Sequence, residues 1–171
     1  DKKVKCGICS QECEIPAGGK GFCGVRQNID GKLYSLVYGK AVSIAIDPIE
    51  KKPFFHFAPG TRSLSIATVG CNLKCSFCQN WMISQEFGEV HGEKYFPKDL
   101  VKKAKAWRCK GIAYTYTEPA VFYEYVYDTA KEAQTELYNV LVTNGYFTPE
   151  AIKKIAPFID AANVDLKGNY T

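Results

Sequence analysis

No stretch of this 171-residue chain approaches the roughly eighteen uninterrupted apolar residues that a membrane span requires. Its greasiest segments, such as residues 41–46, are short and soon broken by charge, so no membrane partner is expected. Cysteine is too sparse for a disulfide scaffold: eight residues in 171 is about 5%, below the roughly 8–10% typical of one. No internal repeat or low-complexity tract is present, and 46% apolar with 23% charged residues excludes disorder and collagen. Strong charge of one sign is also missing, since the net charge is only +4. The basic residues are scattered except for Lys98, Lys102, Lys103, Lys105, Arg108 and Lys110. Leu100, Val101, Ala104 and Trp107 recur between them at helical spacing, which predicts an amphipathic helix with a solvated basic face. A nucleic-acid partner is disfavoured, because such footprints need basic clusters within a recognisable motif. The length fits one globular domain, or a small module attached to part of a larger one. The first residue is Asp1 rather than Met, so a trimmed start and a removed signal peptide both remain open.

The cysteines that are present fall into groups. Four lie early, as Cys6-x2-Cys9-x3-Cys13-x9-Cys23; three follow, as Cys71-x3-Cys75-x2-Cys78; Cys109 stands alone and is expected only to pack. Gaps of two and three residues are metal-site spacings, because a tight turn can aim both thiolates at one ion. Metal-binding thiols in turn point to a reducing, cytoplasmic setting. The first group, with Gly18, Gly19, Gly21 and Gly24 for tight turns, suits a closed structural zinc site, although its uneven spacing would also accept an iron–sulfur cluster, and disulfides or free thiols stay open. The second group would leave one iron of a four-iron cluster without a protein thiolate, an open position for chemistry. Its plainer alternative is a zinc site completed by His91 or His56.

Along the chain, residues 1–31 read as a cysteine-rich metal-binding module and 32–62 as a β-hairpin with a connecting loop. The hairpin is expected from strand-like stretches at 33–38 and 41–46 around Gly39-Lys40. From residue 63 to 171 strands and helices alternate, which predicts an α/β fold with parallel strands joined by crossover helices. The expected strands are 63–69, 111–117, 138–143 and 161–166. Between them lie helices at 97–109, after Pro119, and after Thr148, which caps, with Pro149 in the first turn and Glu150 favourable against the dipole.

The polar chemistry falls at the carboxyl ends of those strands: Cys71, Cys75 and Cys78 after the first, Thr117 and Glu118 after the second, Thr143 and Asn144 after the third, Asp165 and Lys167 after the fourth. In parallel α/β sheets and barrels that rim is where ligands bind. Each residue alone has a dull explanation, as helix start, turn or surface pair; their coincidence with the three-cysteine loop points to function.

The segment from Cys71 to Cys78, with aromatic Phe77 before the last cysteine, resembles the cluster-binding signature of the radical S-adenosylmethionine (SAM) enzymes. Val142-Thr143-Asn144-Gly145 and Val164-Asp165-Leu166-Lys167 look like strand ends of the pyruvate formate-lyase activating enzyme group. The four-cysteine module, the stretch from Asp47 to Pro53, and Cys78-Gln79-Asn80-Trp81 look most like its AmmeMemoRadiSam-system branch. The resemblance implies a partial (β/α) radical SAM barrel with about four of six strands present, and hence a fragment or a chain whose sheet edge needs a partner. It implies that Cys71, Cys75 and Cys78 hold a [4Fe-4S] cluster whose open iron is chelated by S-adenosylmethionine. Phe77, Glu118, Thr143, Asn144, Asp165 and Lys167 would line that cofactor. One electron, from a donor such as a ferredoxin or flavodoxin, would cleave it to a 5′-deoxyadenosyl radical that abstracts hydrogen from an unidentified substrate, possibly a protein; no catalytic residue beyond cluster and cofactor is implied. Tyr116-Thr117 stands where the family usually has two glycines, so the backbone there is expected to be less permissive. Val142 replaces an aspartate of the activating enzymes. The alternatives are a non-catalytic zinc-binding protein contacting nucleic acid or a protein partner, and an electron-transfer module.

Overall fold

The computed structural model describes residues 2–168, so the ends of the first and third expected units, Asp1 and residues 169–171, lie outside the described residues. In the amino-terminal part, β1 (Val4–Lys5) pairs antiparallel with β2 (Glu14–Ile15). β3 (Arg26–Ile29) then turns into β4 (Lys32–Ser35). The two-residue turn is Asp30-Gly31, with φ of 52° and 84°, the doubly left-handed geometry that Asp-Gly favours in tight hairpins. The hairpin expected across Gly39-Lys40 therefore forms one segment earlier. Lys32–Ser35 is its second strand; β5 (Lys40–Ala41) and β6 (Ser43–Pro48) find other partners.

The main sheet has five strands, whose remaining members are β7 (Arg62–Ala67), β9 (Gly111–Tyr114), β10 (Tyr138–Thr143) and β11 (Ala161–Val164); β8 (Glu93–Lys94) pairs only with β5. Its order is β11-β10-β9-β7-β6. β7, β9, β10 and β11 run parallel, in chain order, as the alternating pattern predicts. β6 joins antiparallel to β7, with Ser43 opposite Ala67. Alternation marks Ser43–Pro48 as a strand but carries no information about which strand it pairs with.

The short helix α1 (Trp81–Ser84) follows the three-cysteine loop, and α2 (Pro97–Ala106), α3 (Tyr123–Ala133) and α4 (Pro149–Ile155) follow the next strands or precede them. Pro97 opens α2, and the Phe96 N–H donates to Asp99 Oδ2 at 2.9 Å. Thr148 caps α4 as expected, its Oγ1 accepting from the Ala151 N–H. One sheet face carries Leu64, Ile66, Ile112, Tyr114 and Leu141, and packs on Leu100, Val101 and Ala104 of α2 and Tyr125, Val126 and Ala130 of α3. On the opposite face Ala113 and Val140 lie beneath Ile49 and Phe54. Two covered faces explain why the central strands β7 and β9 are buried almost without alternation, Ser63 and Ser65 included. Cys109 is buried in the helix-side core, as its packing reading requires. No described helix is long and apolar enough to cross a membrane.

Candidate functional site

The carboxyl ends of the parallel strands open on a cavity of about 480 Å³. Cys71, Cys75 and Cys78 form one wall; Glu118, Thr143 and Asn144 lie at the ends of the middle strands, and Asp165 and Lys167 beyond β11. Phe77 lines it too, with its ring largely exposed. The sheet thus brings every residue of the sequence-derived cofactor set to a single cavity. His56 and His91 are not among its lining residues, and both are exposed, so the structure does not bring either to the three-cysteine group.

The cysteine loop is held from several sides. Gly70 precedes it at φ 94°, and a Cβ there would lie 2.7 Å from Val25 Cγ1 and 2.8 Å from the Cys23 carbonyl, so only glycine fits where the loop leaves β7. The Gln85 amide donates to the Cys75 carbonyl at 3.0 Å, the Cys78 Sγ lies 3.3 Å from Ser84 Oγ, and the Asn80 amide donates to the Tyr116 carbonyl at 3.0 Å. Those contacts bind the loop both to α1 and to the end of β9.

Glu118 is buried, and its carboxylate is nearly surrounded by donors. Oε1 accepts from Thr143 Oγ1 at 2.6 Å and the Ala120 N–H at 3.1 Å; Oε2 accepts from the Asn144 N–H at 2.8 Å. Burial pushes its pKa up, and those three donors with Lys167 pull back against it. Asp165 accepts from Asn163 and pairs with Lys167, each at 2.9 Å. Thr117 also lines the cavity, and its hydroxyl donates to the Thr68 carbonyl at 2.8 Å, which ties the end of β9 to the base of the cysteine loop.

Tyr116 carries a finding against expectation. Where two glycines would give freedom, it adopts φ 65°, the left-handed conformation itself. Its hydroxyl donates to Asp47, and the Lys52 Nζ sits 4.1 Å from its ring centroid. Lys52, 2% exposed, also pairs with Asp47 at 2.8 Å, and Lys51 pairs with the same carboxylate at 2.5 Å. The surroundings over-determine a backbone angle that a non-glycine residue rarely takes. The Asp47 to Pro53 stretch, noticed only as a resemblance, builds this opposite wall.

The four early cysteines line a second, much smaller cavity of about 20 Å³, next to the first. All eight cysteines are free thiols. Among the described residues, no group of three or more His, Cys, Asp or Glu side chains is already gathered as an ion would require, so the zinc expected at Cys6, Cys9, Cys13 and Cys23 has no preformed cage. Asn72 borders that small cavity, while its Oδ1 accepts from the Asn144 amide at 2.8 Å and its carbonyl accepts from Gln11 at 2.8 Å. Sequence reading passed over Asn72, which lies inside the motif between two more informative residues.

The module itself is stitched to the rim. Cys9 bridges to Phe147, the Ser10 N–H donates to the Tyr146 carbonyl at 2.9 Å, and Thr148 Oγ1 donates to the Gly7 carbonyl at 2.7 Å. Buried Arg26 forms a two-pronged pair with Glu124 of α3 at 2.7 and 2.8 Å.

A radical SAM superfamily model matches residues 65–170. An uncharacterized protein of Methanocaldococcus jannaschii is 49% identical over 171 residues, covering 99% of this chain and 51% of that protein. A second uncharacterized protein of the same organism is 30% identical over 111 residues, covering 61% of this chain and 33% of its own length. The chain thus spans about half the length of the first relative and a third of the second. No solved structure matches it.

Proposed function

Because the chain belongs to the radical SAM superfamily, we propose that it supplies the cofactor-binding half of an enzyme of the activating-enzyme type, acting on a substrate that is itself unidentified. The observation that carries this reading is the convergence of Cys71, Cys75, Cys78, Glu118, Thr143, Asn144, Asp165 and Lys167 on one cavity at the ends of parallel strands. Three thiols on one wall, facing acceptors and a cation, are a donor set that fits a [4Fe-4S] cluster and S-adenosylmethionine. Bound there, the pair would supply one-electron cleavage of a carbon–sulfur bond and hydrogen abstraction from a substrate.

The chain's own part is binding and orientation. Cys71, Cys75 and Cys78 would hold the cluster; Glu118, fixed by Thr143, Ala120 and Asn144, presents a stationary negative charge to a cationic amino group. Lys167 offers a cation to a carboxylate while Asp165 holds it in place. Phe77 gives a flat apolar face at the entrance. The strand order and helix-covered face support a partial barrel, with β11 as the edge that further chain or a partner would extend. A ferredoxin-like or flavodoxin-like donor would deliver the electron, in a cytoplasmic setting.

Electron paramagnetic resonance of the anaerobically reconstituted, reduced protein tests the reading. A four-iron signal that changes on adding S-adenosylmethionine is expected. An iron-free protein, or a signal indifferent to the cofactor, would reject it.

A further inference from the structure

We infer that Cys6, Cys9, Cys13 and Cys23 take up a single divalent cation of the zinc class as four thiolates, and that Asn72 donates its side-chain N–H to the Cys9 sulfur. The inference goes beyond the proposed function and stands without it.

Cavity size favours one ion over a cluster. The four cysteines and Asn72 border a space of about 20 Å³, close to the smallest space that holds one water molecule, roughly 10–15 Å³. A cube of four irons and four sulfides would need the walls to part; one ion needs only that the thiols turn inward. A closed site with four sulfur donors and no open position is the structural zinc arrangement.

Donors already surround the sulfurs. The Phe22 N–H donates to Cys13 Sγ at 3.5 Å, and the backbone N–H groups of Gln11 and Val25 face Cys9 and Cys23. The buried Arg26 guanidinium lies toward Cys6 and Cys23, a positive neighbour for a thiolate cage. Hydrogen bonds of this kind orient sulfurs that would ligate an ion.

Asn72 is the independent sign of a ligand. It is fully buried; its Oδ1 and carbonyl are both satisfied, and its Nδ2 finds no full-strength acceptor, only the Cys9 thiol that it faces. A buried donor left unpaired costs about 1–3 kcal/mol. A Cys9 thiolate drawn onto a metal ion would supply the missing acceptor, in the way outer hydrogen bonds orient metal ligands. Through Asn144, which Asn72 also holds, the small site would then brace the cofactor wall.

The test uses the full chain with Cys71→Ala, Cys75→Ala and Cys78→Ala, stripped of metal anaerobically and titrated with cobalt(II). Saturation at one cobalt per chain, with the visible and charge-transfer absorption of a tetrahedral four-thiolate site and displacement by zinc, is expected. Adding Asn72→Ala should weaken cobalt binding about tenfold or more, leaving the four-thiolate spectrum in place. No uptake, a spectrum of fewer thiolates, or a second iron–sulfur cluster on reconstitution would overturn the site; unchanged affinity would remove Asn72 from it. Zinc content of the unaltered chain after its iron is removed guards against a variant that fails to fold: one zinc, lost in Cys9→Ser, is expected, and its absence overturns the proposal. None of these readouts involves S-adenosylmethionine, so this inference and the proposed function can fail separately.

Discussion

The two cysteine groups lie on either side of Asn72, yet they face spaces that differ more than twentyfold in volume, about 20 Å³ against about 480 Å³. The four-cysteine space is walled by Ile15, Phe22 and Arg26; the three-cysteine space is walled on its far side by the ends of β9, β10 and β11. Ligand count and cavity size vary in opposite directions. One thiol fewer leaves an open coordination position, and the larger cavity holds the polar groups that could fill it. On the two proposals, what would distinguish a structural site from a reactive one is therefore the space left in front of the sulfurs.

The largest effect expected is at the reactive side. Cys75→Ala should abolish cluster assembly and cofactor cleavage while leaving the metal content of the four-cysteine module unchanged, read by iron and zinc analysis of the same sample. Loss of both metals together would erase the distinction between the two sites.

Gly70→Ala strikes the seam between them. Its Cβ would press on Val25 and the Cys23 carbonyl at a positive φ, so a loss of about 2–3 kcal/mol in urea denaturation is expected, with both metal contents falling. An unperturbed midpoint would mean that the loop and the module are not in register.

Glu124→Ala leaves buried Arg26 without its partner. Because Glu124 is itself 45% exposed, the cost should be roughly 2 kcal/mol, below the 3–5 of a fully buried pair, and the change should loosen the module before the sheet. Hydrogen exchange of residues 14–29 against β7 would separate the two.

The opposite wall of the large cavity should respond to pH. Burial pushes the Asp47 carboxyl up, but Lys51, Lys52 and Tyr116 outweigh it and hold its pKa well below the ordinary carboxylate value. A depressed pKa contributes stability that is fully present above the unfolded value and is lost as pH falls toward the folded one. Stability should therefore decline below about pH 4, where free aspartate begins to protonate, and Asp47→Asn should flatten that part of the profile. Smallest of all, Tyr116→Phe keeps the ring against Lys52 and removes one donor to Asp47, for a loss of about 1 kcal/mol. A much larger loss would make the hydroxyl, rather than the ring, the anchor of the left-handed backbone.

Much of the large site could be read in the chain because its members sit at fixed places in a repeating pattern. Each parallel strand announces itself by apolar β-formers, and the polar residue after it must fall on the rim; Glu118, Thr143, Asn144 and Asp165 follow from that rule alone. The Thr148-Pro149 helix start was legible for the same local reason. Pairings between distant segments were not. Nothing in Ser43–Pro48 specifies an antiparallel place beside β7, and the Asp30-Gly31 turn, a local signal in the sequence, was passed over for the longer strand-like runs after it. Tyr116 at positive φ could not be foreseen, since the residues that hold it, Asp47 and Lys52, lie more than sixty positions earlier. Asn72 was hidden because its work is done through contacts on two distant segments, around Gln11 and at Asn144.

The stitching of Gly7, Ile8 and Ser10 to residues 146–148 spans about 140 positions of the chain. During synthesis the segment that carries the early thiols therefore emerges well before the residues it is stitched to, and that stitching waits until β10 and the turn after it have been made. Loop closure over that distance is slow compared with forming a hairpin. A cation that captured Cys6, Cys9, Cys13 and Cys23 early would keep the segment compact through that interval and shield its sulfurs from mispairing with Cys71, Cys75 or Cys78. The order of metal loading, early module before late loop, would then be written into the direction in which the chain is made.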